Sequence, residues 1–334
     1  MSESAWPGLE EVLEGAQVAA LPLRVSFRGL DHREAVLLRG PRGWGEFAPF
    51  VEYDDTEAVS WLRAALETAW GSVPSPVRER VAVNATVPAV SADRVAPILD
   101  SFAGCRTAKI KVAQWGQSLA DDIARVSAAR DHLGPSAAIR VDANGGWDLV
   151  QARDAITALS AYHLEYAEQP VADVADLARL RVRLAAAGVD VPIAADESIR
   201  RADDPLEVAR LEAADLIVVK VAQLGGVARA LDIVSDCGLP AVVSSALDTS
   251  VGISAGLALA CALPDLSHAC GLGTVALLGR DVAAQPLVPV RGELSIEAAR
   301  ASLASVGEVA QADRAVPARA AWWQARLRRC WALL

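Results

Sequence analysis

Two lysines separated by one residue, Lys109 and Lys111, lie in the short β-branched, apolar run Thr-Ala-Lys-Ile-Lys-Val at 107–112. Such a run reads as a strand buried on both faces. Side chains alternate along a strand, so both ammonium groups emerge on one face. An isolated Lys-x-Lys is ordinarily an edge-strand device against aggregation, but the downstream residues argue for chemistry. Asp142, Glu168, Asp196, Lys220, Ser245 and Gly271 follow Lys111 at intervals of 24 to 31 residues, near the end of successive short apolar runs. One strand-helix unit of a barrel of ~250 residues takes about 30 residues, so these positions recur once per unit and converge on one mouth.

Three carboxylates facing inward repel one another and resist desolvation unless a cation neutralises them. A hard divalent ion held by oxygen, Mg²⁺ with Mn²⁺ as a substitute, suits such a site and leaves positions for water and substrate. Each acid also has a structural role open to it. Asp142 could cap the helix after Asn-Gly-Gly-Trp, Glu168-Gln-Pro could form a turn, and Asp196 could be an N-cap, leaving Glu197 as the inward residue. Three in register, between lysines from the flanking strands, favour a site. Ser245 and Gly271, polar or backbone-exposing positions at the mouth, are candidates for substrate contact. The four histidines lack the spacing of a helical zinc site. The five cysteines are scattered without a Cys-x-x-Cys pair, and they read as reduced, mostly buried small hydrophobes.

The elements that must position these residues extend from about 81 to 280. Strand-like runs at 81–88, 108–112, 139–143, 164–169, 193–196, 216–220, 241–245 and 268–272 alternate with helical segments such as 119–132, 150–159, 174–187 and 227–237. Eight strands alternating with helices indicate a closed parallel barrel rather than an open sheet. Without a Gly-x-Gly-x-x-Gly turn or a Walker motif, dinucleotides and nucleoside triphosphates are poor candidates as ligands. Residues 1–80 differ in character. Strands at 18–27 and 34–39 flank a polar turn at 28–33, and an aromatic, acidic stretch at 47–55 precedes a helix at 56–70. That stretch is either a connection or a lid over a site.

With 334 residues, 53% of them hydrophobic and 22% charged, the chain can bury a large core. A net charge of −10 argues against nucleic acid or an anionic membrane as partner. No apolar run reaches membrane-spanning length. A small-molecule partner and a cytoplasmic location are expected, while the oligomeric state is not readable.

Lys109-Ile-Lys111, Asp142 in Val-Asp-Ala-Asn, Glu168-Gln-Pro, Asp196-Glu-Ser and Lys220 before Val-Ala-Gln-Leu-Gly-Gly, in this order, resemble the enolase superfamily, specifically its muconate-lactonising subgroup. The resemblance covers essentially the whole chain. It implies an α/β fold, with a modified TIM barrel, (β/α)₇β, over 81–280. An α+β capping domain would form from residues 1–80, with 281–334 returning to it and 28–33 and 47–55 as the loops that close the mouth. Gly-Trp-Gly-Glu-Phe-Ala-Pro-Phe followed by Glu-Tyr-Asp-Asp is most similar to the subgroup's actinobacterial dehydratases of menaquinone biosynthesis. These convert 2-succinyl-6-hydroxy-2,4-cyclohexadiene-1-carboxylate, a small carboxylate, to 2-succinylbenzoate. Dipeptide epimerases place Asp-x-Asp on the eighth strand, where this chain has Gly271-Leu-Gly273.

The resemblance makes Asp142, Glu168 and Asp196 the Mg²⁺ ligands. Lys111 becomes the base that also returns the proton in a syn elimination, and Lys220 the cation on the opposite side. A lysine base and a metal-stabilised enediolate are general to the superfamily. Lys109 would depress the pKa of Lys111 by its charge. Four other readings stand beside this one: N-succinylamino acid racemisation and muconate cycloisomerisation in the same subgroup, a Schiff-base aldolase on a barrel lysine, and a non-catalytic binding protein.

Overall fold

A computed structural model describes residues 6–200 and 205–334. The first five residues of the expected cap and residues 201–204 of the expected barrel lie outside them. Strands β1 (Gln17–Phe27), β2 (Leu30–Gly40) and β3 (Gly43–Phe47) form an antiparallel sheet. The turn expected over 28–33 is shorter than that. Arg28 and Gly29, at φ +53° and +75°, make a two-residue connection, and β2 begins at Leu30. Two successive left-handed residues match the twist of the flanking strands, so pairing resumes at once with Phe27 opposite Leu30.

β3 does not stand out in the sequence because two of its five residues are glycine. Gly45 is needed there, since a Cβ would lie 2.1 Å from the Ala65 carbonyl oxygen of the helix Asp55–Trp70. That helix starts on Asp54, whose side chain accepts from the Glu57 amide, and it buries Ala58, Trp61, Leu62 and Leu66. The C-terminal helix Pro317–Trp331 adds Trp323, Leu327 and Cys330 to the same apolar cluster. Glu34 of β2 accepts from Arg319 Nε (2.9 Å) and Trp323 Nε1 (3.0 Å), which ties the two ends of the chain into one cap.

Residues 81–88, expected as one strand, divide into β4 (Arg80–Ala82) and β5 (Ala85–Val87). β5 opens an all-parallel seven-stranded sheet that continues in order through β6 (Thr107–Lys111), β7 (Ala138–Asp142), β8 (Leu164–Glu168), β9 (Ile193–Ala195), β10 (Leu216–Val219) and β11 (Ala241–Val243). β4 stays outside this sheet and pairs antiparallel with β12 (Glu293–Ser295). In place of a full eighth strand at 268–272, single parallel bridges join Cys270 to Val83 and Gly271 to Ser244, linking the two edges of the sheet. Arg140, fully buried, donates to the Ala269 carbonyl (2.7 Å) and to Asn84 Oδ1 (3.1 Å), holding this closing segment against the interior.

The strands are apolar on both faces. Ile139, Val141, Ile217 and Val243 face the surrounding helices within one core cluster, while Tyr166, Ala194, Leu216, Val218 and Val242 form a second cluster on the alternate face. The helices Leu119–Leu133 and Leu149–Leu159 each begin with a capping box, on Ser118 and Asp148. The expected α/β barrel with an α+β cap is the architecture found. All five cysteines are free and buried. Among the described residues no helix is long and apolar enough to cross a membrane.

Candidate active site

Parallel register places Lys111, Asp142 and Glu168 side by side on β6, β7 and β8. Asp196 directly follows β9, and Lys220 directly follows β10. By strand alternation Glu168 stands over Tyr166, Asp196 over Ala194 and Lys220 over Val218, so a layer of charge rests on the inner apolar cluster. Asp142, Glu168 and Asp196 are each 1% exposed. At that depth carboxylates require counter-charge. Asp142 is not a helix cap, because Asp148 fills that role for Leu149–Leu159.

Lysines supply the counter-charge. Lys109 Nζ lies 2.8 Å from Glu168 Oε1 and 3.1 Å from Asp142 Oδ2. Lys111 Nζ donates to Asp142 Oδ2 (2.5 Å) and Asn144 Oδ1 (2.6 Å), and Lys220 Nζ donates to Asp196 Oδ2. Burial works to raise the Asp142 carboxyl, but the ammonium groups of Lys111 and Lys109 outweigh it and hold Asp142 below the usual carboxylate range. Glu168 is pushed up by burial and by the charge of Asp142. Burial lowers Lys111, and Lys109 adds to that lowering against the pull of Asp142. Lys109 itself is held well above its ordinary value, because Glu168 and Asp142 overcome its desolvation.

A cavity opens on this layer. Lys109, Lys111, Asp142, Asp196 and Lys220 line it, while Glu168 lies beneath. Glu197 lines it as well, alongside Asp196, and accepts from Asn144 Nδ2 (3.2 Å). Ser245 and Gly271 are at the wall, but the Ser245 hydroxyl donates to the Gly271 carbonyl (2.6 Å) and lies 2.9 Å from the Thr274 hydroxyl. Gly271 has a steric reason to be glycine, since a Cβ would lie 2.4 Å from Ser244 Oγ.

Several site residues escaped the sequence reading. Asn144 takes part through a left-handed backbone, φ +48°, that asparagine tolerates. Its signal was its place two residues after Asp142. Gln169, also left-handed, accepts from the amides of Asp196 (2.9 Å) and Ser198 (3.1 Å) and so fixes the turn that presents Asp196. From the cap, Phe27, Arg28 and Phe50 roof the cavity.

Among the described residues no group of three or more His, Cys, Asp or Glu side chains is already gathered closely enough to cage a metal ion. The donor set nevertheless fits a hard divalent cation. It consists of buried carboxylates from adjacent strand ends, and two of them already share one positive charge, the Lys109 ammonium.

Residues 18–69 match the family described as enolase N-terminal domain-like, and residues 96–300 match the enolase C-terminal domain-like family. Enzymes of the enolase superfamily use a divalent metal, usually Mg²⁺. An o-succinylbenzoate synthase of Mycolicibacterium smegmatis is 55% identical over 98% of this chain and 98% of the relative. One of Mycobacterium leprae is 52% identical over 98% of this chain and 95% of the relative. Muconate lactonizing enzyme from Pseudomonas fluorescens, complexed with muconolactone, superposes with a TM-score of 0.71 at 21% identity, covering 92% of this chain and 97% of that one. L-Ala-D/L-Glu epimerase from Bacillus subtilis gives 0.70 at 24% identity, over 84% and 94%. At these two identities the likeness is one of fold alone. The chain belongs to the o-succinylbenzoate synthase family of the enolase superfamily.

Proposed function

We propose that this chain dehydrates 2-succinyl-6-hydroxy-2,4-cyclohexadiene-1-carboxylate to 2-succinylbenzoate in menaquinone biosynthesis. The observation that carries this reading is the placement of Lys111 and Lys220. Three strands separate theirs in the curled sheet, yet both face one cavity that also holds buried carboxylates. Kinship at 52% to 55% identity over nearly the whole chain supports the choice of substrate.

Asp142, Glu168 and Asp196 would hold a divalent cation, Mg²⁺ or Mn²⁺. When bound, it supplies Lewis-acid stabilisation of the negative charge developing on the substrate carboxylate. Lys111, as the neutral amine, takes the proton from the carbon bearing that carboxylate, and the C–H electrons pass into an enediolate. Collapse of the enediolate expels the hydroxyl from the neighbouring carbon. The Lys111 ammonium returns its proton to the departing oxygen, so water leaves and the amine is regenerated. One group serves both steps, so proton and hydroxyl leave from the same face. Burial and the adjacent Lys109 favour the neutral amine that the first step needs. Lys220 stays cationic across the cavity beside the enediolate.

Purified chain incubated with the cyclohexadiene substrate and Mg²⁺ is expected to form 2-succinylbenzoate, to stop on chelation and to recover on re-addition of the metal. Turnover indifferent to a chelator would sink the metal-assisted reading. Absence of product alongside racemisation of an N-succinylamino acid would replace the dehydratase with its subgroup relative.

A further inference from the structure

Arg28 occupies the first of the two left-handed positions in the β1–β2 turn, at φ +53°. In two-residue turns of this kind those positions belong to Asn, Asp and Gly, and the neighbouring Gly29 obeys the rule. An arginine there carries backbone strain, and strain is retained where a side chain has a task that a relaxed residue would not perform. The Arg28 side chain lies over the barrel mouth. Its guanidinium carbon is 4.7 Å from the centre of the Phe50 ring, and Nη1 is 3.4 Å from the Tyr53 hydroxyl.

Arg28 also stands where two cavities meet. The catalytic cavity shares Phe27, Arg28, Lys111 and Asn144 with a second groove, which passes Gln114 and the exposed Trp115. Among the described residues lining this groove Arg28 and Lys111 are the ionisable ones and neither is an acid, and Arg28 carries a permanent positive charge. In a chain of net charge −10 the groove is therefore a local reversal of sign.

We infer that Arg28 is the counter-ion for the terminal carboxylate of the substrate's succinyl chain, which extends from the catalytic cavity into this groove. The inference rests on the dehydratase reading. That substrate carries two carboxylates. The one on the ring must stand at Lys111, where the proton is lost, and the other sits at the end of a flexible chain that has to leave the barrel mouth. A groove that holds an arginine and, among its described lining residues, no acid, and that is continuous with the mouth, suits that end.

Calorimetric titration of the Mg²⁺-loaded chain with 2-succinylbenzoate and with 2-butyrylbenzoate, which has a methyl group in place of the terminal carboxylate, tests this. The unsubstituted protein is expected to prefer the succinyl ligand by about fivefold or more. Arg28→Gly should erase the preference by weakening the succinyl ligand alone, while the relaxed turn raises Tm. Arg28→Lys should restore part of the preference. A proportional loss for both ligands, or a Tm that falls in Arg28→Gly, would mark Arg28 as structural and overturn the inference while leaving the dehydratase reading intact. An unsubstituted chain that binds neither ligand would sink the dehydratase reading itself.

Discussion

Lys111 and Lys220 sit in different surroundings, and the difference sorts their proposed roles. Lys111 shares its neighbourhood with a second ammonium, Lys109, and burial also lowers its affinity for a proton. Lys220 pairs with the buried carboxylate of Asp196. Arginine keeps a positive charge but is no base near neutral pH, since its pKa exceeds about 12. Lys111→Arg is therefore expected to be as inactive as Lys111→Ala, each losing about 10² to 10⁴ in turnover. Lys220→Arg should keep more activity than Lys220→Ala, discounted for the bulk of the guanidinium. Steady-state turnover of the four variants, with folding checked by circular dichroism, separates the cases. Dehydration by Lys111→Arg beside an inert Lys220→Arg would reverse the assignment of the base.

At the scale of elements, β2 and the segment after β11 are joined by Arg33. Its guanidinium, 2% exposed, donates from Nε to the Leu247 carbonyl (3.1 Å) and from Nη2 to the carbonyls of Ala246 (3.3 Å) and Ala48, with the Phe50 ring centre 4.5 Å away. Ala246, Leu247 and Phe50 all line the catalytic cavity, so one buried cation holds the cap and barrel walls in register. Arg33→Met leaves these carbonyls unsatisfied and removes positive charge from beside Asp248 and Glu46. The expected cost is about 2–4 kcal/mol of stability. KM should rise more than kcat falls, because the lost contacts shape the pocket and transfer no proton. A denaturant titration together with steady-state kinetics checks both. A variant of unchanged KM that no longer turns over would place Arg33 in the chemistry instead.

Over the whole molecule, two glutamates of the cap hold the N-termini of two barrel helices. Glu67 accepts from the amides of Val227 (2.5 Å) and Ala228 (3.1 Å) at the helix Val227–Cys237, and Glu46 accepts from Thr249 (3.2 Å) and Gly252 (3.0 Å) at Ser250–Ala262. Unpaired helix amides favour such carboxylates. Glu46 is nevertheless buried beside Asp248, and burial followed by that neighbouring charge pushes its carboxyl from 4.5 up to about 8. The folded chain thus holds a proton that the unfolded chain gives up near 4.5. The associated stability is fully present below that value and is lost as pH rises through about 8. Glu46→Gln removes this titration. Thermal scans from about pH 5 to about pH 9 should show the difference in Tm moving steadily in favour of the variant. Parallel curves would show that Glu46 does not titrate in this range.

Much of this architecture is legible from neighbouring residues alone. The alternation in 107–112, the recurrence of a polar residue every 24 to 31 positions and the helical stretches between them are properties of consecutive residues, so the parallel barrel and the positions at its mouth can be read directly. Elsewhere partners distant in the chain overrule local pattern. The run at 268–272 looks like a strand, but only Cys270 and Gly271 bridge their neighbours. β3 looks like a loop until the helix Asp55–Trp70 packs against Gly45. Asp196 and Glu197 are equivalent on paper, and both prove to line the cavity. The lysine-carboxylate pairs, the bonds of Arg33 to Ala246 and Leu247, and the glutamates that hold helices some 160 and 200 residues away join groups with no local relation in sequence. Local propensity decides which elements form, but burial in a shared low-dielectric interior decides which charges must meet, and that depends on how the cap and barrel pack together.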